Sequence, residues 1–369
     1  MFYSGSETGL LRVIEWAGIA LFTLTLLLLL LVLLMRARLI MRERRWQRFL
    51  SVWQPILMGS IEIATSNVPR LAHRDLPNFL LLWNHLHESL LDESKDHLNQ
   101  IAYALSINEV ALRMLGRRNL RDRLLAVITL GQLREPAAWN SLLTIAHGHP
   151  PLLSVTAARS LVMIDPGKAI PELLPLLASR GDWPPPRVAD TLQTAGADVI
   201  SDPIARAAIA ASASALDQAE NPVGEDEARP LRNAARLVRY LNLAYNVSAV
   251  PAARTIARSS HNPEVLAACL RLLNSAEDLE IVRRCLAHEA WPVRVQAAAA
   301  MGRIGEDQDA PGLIGLLSDK QWWVRYRAAQ ALARLPSMTV HRLKAIQTSQ
   351  ANPFARDMLA QILAEIALQ

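Results

Sequence analysis

The chain offers few residues whose type and spacing could do chemistry. His87-Glu88-Ser89-Leu90-Leu91 opens like the His-Glu-x-x-His of a zinc hydrolase, but position 91 is leucine where the helix face would need a second imidazole. His85 and His87 are two apart, which on a helix points them in different directions, and His73 and His97 bring no cysteine or carboxylate set with them. His147-Gly148-His149 reads as a turn with solvated imidazoles. There is no glycine-rich phosphate loop and no G-x-S-x-G nucleophile elbow. Asp165, Asp182, Asp278, Asp309 and Asp319 fall at turns and helix starts, where a carboxylate bonds helix-terminal amides rather than pairing for acid–base work. Cys269 and Cys285 occupy apolar helix positions, where a free thiol acts as a small hydrophobe, and two cysteines alone make neither a disulfide framework nor a zinc site. These patterns predict no catalytic residue, no metal and no cofactor.

Recognition is the remaining chemistry, and it points to arginine and tryptophan. Arg294 and Arg325 recur in Val-Arg pairs, where a guanidinium can bond turn carbonyls or a neighbouring aspartate, or reach a partner. Trp291, Trp322 and Trp323 mark turns between helices; tryptophan there either covers a junction or serves as an interface anchor.

The elements that would hold these residues are helices. Hydrophobic residues make up 51% of the 369 and aromatics 5%, with alanine, leucine and arginine dominant, all strong helix formers. The helices repeat. Residues 291–305 (WPVRVQAAAAMGRIG) align with 322–336 (WWVRYRAAQALARLP) at an offset of 31. Asp278, Val282, Cys285 and Leu286 fall against Asp309, Leu313, Leu316 and Leu317 at the same offset. A longer echo aligns 155–192 with 295–332 without a gap, setting Trp183 against Trp323. Residues 121–133 keep the cadence, whereas 200–260 stay helical in composition but lose the motif around NPVGEDEARP (221–230), which reads as an exposed loop.

The segment VRVQAAAAMGRIGEDQDAPGLIGLLSDKQWWVRYRAAQALARL resembles two consecutive HEAT-like repeats of the phycobilisome-lyase type. Its marks are the Val-Arg pair, an alanine-rich first helix, an Ile-Gly turn, an Ala-Pro start and an Asp-x-x-x-Val-Arg link. The resemblance implies a right-handed α-α superhelix whose second helices line a concave surface. Glu280, Arg283 and Arg284 are then the side chains expected to face that groove. Such repeats occur in many scaffolds, so no lyase activity or bilin follows from them.

The amino-terminal part predicts a membrane anchor. Trp16 to Met35 carries no charge, holds ten leucines and would span roughly 30 Å as a helix, the thickness of a hydrocarbon core. A cleaved signal would be shorter and would end in a small-residue site, absent here. Net charge is +5, and residues 1–48 supply +4 of it: Arg12, Arg36, Arg38, Arg42, Arg44, Arg45 and Arg48 against Glu7, Glu15 and Glu43. The basicity is thus juxtamembrane and not spread along the folded part, which disfavours nucleic acid as a partner. Six arginines follow the apolar run and one precedes it, so the amino terminus is expected outside and the repeats in the cytoplasm. The same arginines, Arg36 to Arg48, suit anionic lipid headgroups. Trp46, Phe49, Leu50 and Trp53 share one helical face beyond them, and Pro77 opens a further helix over 76–92. An arginine-rich anchor, then W-x-P-I-L (53–57), then HEAT-like repeats resembles bacterial single-pass HEAT proteins, some of which accompany membrane glycosyltransferases of envelope polysaccharide systems.

The expected architecture is all-α: 1–15 outside, a transmembrane helix at 16–35, juxtamembrane helices over 36–117, and a solenoid over 118–369 that is irregular at 200–260. The expected function is a non-catalytic scaffold at the cytoplasmic face of an inner membrane, its solenoid holding a protein partner. An accessory subunit of a polysaccharide synthase and a lyase-like enzyme acting on a chromophore are the alternatives.

Overall fold

The computed structural model describes residues 5–60, 68–90, 92–220 and 228–368, with side chains described outside 5–15, 17–20, 42, 92–94, 218–220 and 228. Every regular element among the described residues is helical. The chain divides into two compact units, residues 1–133 and 134–369.

The first unit begins with α1 (Gly5–Gly59), followed by α2 (Leu76–Ser89), α3 (Asp92–Ala104), α4 (Ile107–Met114) and α5 (Leu120–Gln132). The expected break between an anchor at 16–35 and a separate juxtamembrane helix is absent: α1 runs unbroken for 55 residues, roughly 80 Å at helical rise. The reason is local. No glycine or proline stands between Gly18 and Pro55, and the arginines that follow the leucines propagate a helix as well as leucine does. The far end of α1 docks on α2 through aromatic stacking. Trp46 lies 5.7 Å from Phe49, Phe49 6.2 Å from Trp53, and Trp53 meets Phe79 edge-on at 5.0 Å. Phe49, Trp53 and Leu57 are buried by this contact and Leu50 is half-buried.

Behind that face, Trp83 donates its indole N–H to the Leu98 carbonyl at 3.0 Å. Asn84 and Thr129 bond each other across α2 and α5 at 3.2 Å. Packing of α5 on α2 and α4 places it in the first unit, so the unit boundary lies one helix beyond the sequence boundary at 117/118.

The second unit holds α6 (Trp139–His147), α7 (Pro151–Ile164), α8 (Pro166–Ser179), α9 (Pro185–Ala195), α10 (Ala197–Glu220), α11 (Ala228–Arg239) and α12 (Asn246–Ser259). It continues with α13 (Pro263–Leu270), α14 (Leu279–Leu286), α15 (Trp291–Ile304), α16 (Ala310–Leu316), α17 (Trp322–Leu332), α18 (Val340–Ser349) and α19 (Pro353–Ala367). Residues 221–227 of the expected loop lie outside the described residues, and 228–230 are not loop but the first turn of α11.

These helices form two layers, as in a helical solenoid. One layer carries α13, α15, α17 and α19, each packed on the next; in the other, α10 packs on α8 and α12, and α14 on α16. Small residues permit the close approach. Ala297, Ala298, Ala328 and Ala329 are fully buried between α15 and α17. A Cβ at Gly302 would come within 2.9 Å of the Ala331 backbone, so only glycine lets these two helices sit this close.

Candidate protein-interaction surface

The 31-residue period places an acid at the start of successive second-layer helices, and the structure turns it into a rung. Asp278 and Asp309 each sit in the 3-10 turn before their helix, before α14 and α16 respectively, and each closes a capping box with Ser275 or Glu306. One oxygen of Asp278 accepts the backbone N–H groups of Asn274 and Ser275, and the other takes the Arg254 guanidinium at 2.5 Å. Asp309 accepts the Glu306 N–H at 2.9 Å, and Arg283 reaches it from α14 at 2.6 and 3.2 Å. Arg254 projects from α12, so the two rungs tie α12 to α14 and α14 to α16. Burial alone would raise the Asp309 carboxyl, but the Arg283 guanidinium and the Glu306 N–H hold it below the ordinary carboxylate range.

The arginine of the first Val-Arg pair makes a parallel rung in the other layer. Arg294 bonds Asp319 at 2.7 and 3.1 Å and the carbonyls of His288 and Glu289. Burial opposes ionisation of Asp319 too, and again the guanidinium and a backbone N–H, here from Gln321, prevail and keep the carboxyl low. Arg325 repeats the carbonyl bonds, to Asp319 and Lys320. One repeat after Asp319 the residue is Gln350, so Arg325 has no acid; its guanidinium instead lies over the Phe354 ring, 5.2 Å from the centroid.

Of the three side chains expected on the groove, Arg283 is held in its rung. Arg284 donates to the Ala257 and Arg258 carbonyls at the end of α12. Glu280 is exposed. The structure thus brings Arg283, Arg284, Arg294 and Arg325 into the joints between repeats.

The tryptophans behave otherwise. Trp291 begins α15, Trp322 and Trp323 begin α17, and Phe354 takes the second position of α19, 31 residues after Trp323. Their exposures are 43%, 42%, 55% and 61%, high for rings of this size. Trp322 stacks on Tyr326 at 5.1 Å and meets Trp323 edge-on at 4.7 Å. The first turns of three consecutive first-layer helices therefore carry a row of water-facing aromatic rings. Trp183, aligned with Trp323 by sequence, is buried instead, because Ser154 accepts its indole N–H at 3.1 Å and Arg180 covers its face.

Elsewhere, the apolar side chains described from Leu21 to Met41 are all exposed. Arg36, Arg38, Arg44, Arg45 and Arg48 are exposed beside them, and the Arg42 side chain lies outside the described residues. His87 is a structural residue, bonded to Asn99 at 3.2 Å and packed on Trp83. His147 donates to the Leu143 carbonyl at 2.9 Å. Among the described residues, no group of three histidine, cysteine or acidic side chains could hold a metal. Sequence reasoning missed a cleft lined by Arg180, Arg232, Arg236 and Arg239. Its signal was present: positions 232, 236 and 239 are spaced i, i+4, i+7 on one helix face.

A family model described as HEAT repeats matches residues 250–333 and 279–365. No curated protein sequence matches the chain. Among solved structures, an engineered protein is similar over 84% of this chain and 88% of its own, with 18% identity and a TM-score of 0.32. Kap121p is similar over 81% of this chain but only 38% of its own, at 11% identity and a TM-score of 0.46. Human deoxyhypusine hydroxylase in complex with glycerol is similar over 72% of this chain and 97% of its own, at 18% identity and a TM-score of 0.28. With its 31-residue period, its paired helices and its buried alanine seam, the stretch 250–365 is a run of HEAT repeats.

Proposed function

We propose that the protein is a non-catalytic scaffold, anchored in a membrane by the apolar half of α1, whose HEAT repeats hold a protein partner at the cytoplasmic face. The observation that carries the anchoring is the exposure of every apolar side chain described between Leu21 and Met41. In water a ten-leucine helix of this kind is strongly unfavourable, whereas each leucine at a bilayer centre contributes roughly −0.5 kcal/mol to insertion. The six arginines that follow favour the cytoplasmic side for the repeats and can meet anionic headgroups. For the partner, the aromatic row of Trp291, Trp322, Trp323 and Phe354 supplies exposed rings on a rigid edge, the composition of interface anchors. Tethering confines scaffold and partner to one thin layer and raises their effective concentration.

Four measurements test this reading. The full chain should resist alkaline carbonate extraction from membranes, and a label-accepting Ala360→Cys on α19 should stay unlabelled by an impermeant maleimide in intact spheroplasts. Extraction would remove the anchor, and labelling would place the repeats outside. A photo-crosslinking residue at Trp323 should capture a single dominant protein, and the double change Trp322→Ala, Trp323→Ala should abolish its co-purification while melting remains unchanged. Undiminished co-purification would remove the aromatic row from the interface.

A further inference from the structure

The last Val-Arg arginine of the array has lost its acid, and the preceding interval shows what that acid does. Arg294 and Arg325 are held alike. Each gives Nη1 to the carbonyls six and five positions before it, those of His288 and Glu289 for Arg294 and of Asp319 and Lys320 for Arg325. At Arg294 the other edge of the guanidinium grips Asp319, Nε at 2.7 Å and Nη2 at 3.1 Å. At Arg325 the same edge is unbonded. Its Nε is a buried atom with no hydrogen-bond partner, its Nη2 makes no bond among the described residues, and Gln350 stands in the place of Asp319.

We propose that a partner protein supplies the missing rung: an aspartate or glutamate side chain, followed in its own sequence by an apolar residue, bonds the Nε–Nη2 edge of Arg325 while that apolar neighbour packs among Trp322, Trp323 and Phe354. This deepens the scaffold reading and rests on the aromatic row being the partner interface.

Position gives the first argument. Arg325 lies one turn beyond Trp322 on α17, and its guanidinium is 5.2 Å from the centre of the Phe354 ring, so the fork sits inside the aromatic row. Preorganisation gives the second. The two carbonyl bonds fix the guanidinium before any partner arrives, so little rotamer freedom is lost on binding, and the fork offers two parallel N–H groups to a planar two-oxygen acceptor. The third is the fold's own precedent, since the group that satisfies this arginine pose one repeat earlier is a carboxylate. A buried N–H of a permanently charged group left without an acceptor is a standing cost that a partner's carboxylate would remove. Nε is shielded from water, and Phe354, 61% exposed, is the ring whose outward swing admits the acid.

The test uses the full chain in phosphatidylcholine nanodiscs. The probe is a dye-labelled, end-blocked peptide of residues 317–322, Leu-Ser-Asp-Lys-Gln-Trp, the segment that carries Asp319 to Arg294. Fluorescence anisotropy should show saturable binding, weakened about tenfold when the peptide carries Asp319→Asn. Arg325→Lys in the protein keeps the charge but not the fork, and should weaken binding by about the same factor. Gln350→Asp returns the acid to the chain, and should raise the melting midpoint by about 2–4 °C and abolish peptide binding. Arg206→Gln, exposed on α10, should bind as the parent does. Should Arg325→Lys melt early, Gln350→Asp, which removes no bond of Arg325, carries the test alone. No saturable binding up to about 5 mM, equal binding of the Asn peptide, or full binding by Gln350→Asp would overturn the proposal. Loss of peptide binding in discs containing phosphatidylglycerol would give the fork to a lipid headgroup and overturn it as well. The scaffold reading fails separately. A protein captured at Trp323 and lost on Trp322→Ala, Trp323→Ala keeps that reading, and its undiminished co-purification with Arg325→Lys would overturn the acid alone.

Discussion

At the scale of single residues, charge in this protein is structural before it is anything else. Asp309 is nearly buried, yet its carboxyl stays ionised because Arg283 and a backbone N–H favour the charged form by more than burial disfavours it. A carboxyl depressed in the folded state stabilises fully above its unfolded pKa, near 3.9, and the contribution is lost as pH falls through the folded value. Asp309→Asn should therefore cost about 1–2 kcal/mol at pH 7, discounted because Arg283 is partly exposed, and the difference from the parent should shrink as pH falls below about 4. Urea midpoints measured across pH 3–7 check this; a constant difference over that range would mean the rung carries no charge energy. Cys269 and Cys285 supply the complementary case. Burial pushes the Cys269 thiol up to about 12, and burial raises Cys285 as well. Both should remain unmodified by a thiol reagent at pH 8 until denaturant is added, then react together; reaction of either in native protein would show that α13 and α14 open locally.

Helices are the scale at which arginine and glycine acquire meaning. A helix leaves its last carbonyls unpaired, and here a later segment satisfies them with a guanidinium. Arg180 serves the end of α6, Arg236 the end of α8, Arg284 the end of α12 and Arg303 the end of α13. The abundance of arginine that looks like a binding signal in composition is in large part this joinery. Glycine at 302 does the opposite work, removing atoms so that α15 and α17 can touch. Gly302→Val should destabilise by about 1–3 kcal/mol, with no compensating gain in helix propensity from a β-branched residue. A thermal melt of that variant checks the claim, and an unchanged midpoint would mean the seam can widen freely. The arginine reach also explains what periodicity alone concealed: a guanidinium six bonds from its backbone bridges repeats that an offset of 31 shows only as neighbours.

For the molecule as a whole, a solenoid depends on its ends, because each repeat is stabilised by the next. In the hairpin of α18 and α19, α19 packs on α17, while His341, Arg342, Lys344 and Thr348 of α18 are exposed. Ending the chain at Ser337 should lower and broaden the melting transition and increase binding of a hydrophobic dye; a sharp transition at the parent's temperature would show that α17 needs no cover. Much of this architecture was legible in advance. The apolar run, its arginine flank, the alanine helices and the 31-residue period are one-dimensional properties, set by helix propensity and by hydrophobic spacing, so residues close in sequence decide them. The unbroken course of α1 was also written locally, in the absence of a breaker between Gly18 and Pro55. What tertiary structure alone decided is where the side chains of that pattern go. Trp183 and Trp323 occupy equivalent positions, yet Ser154 buries one and leaves no counterpart to bury the other. Arg294 and Arg325 occupy equivalent positions too, and Asp319 against Gln350 sends one to a carboxylate and the other to Phe354. The arginine cleft arises from α8, α9 and α11 packing together, with Arg180 separated from Arg236 by 56 positions of chain. Partners contributed by distant segments set the energy of a polar or aromatic group, and no period in the sequence encodes them.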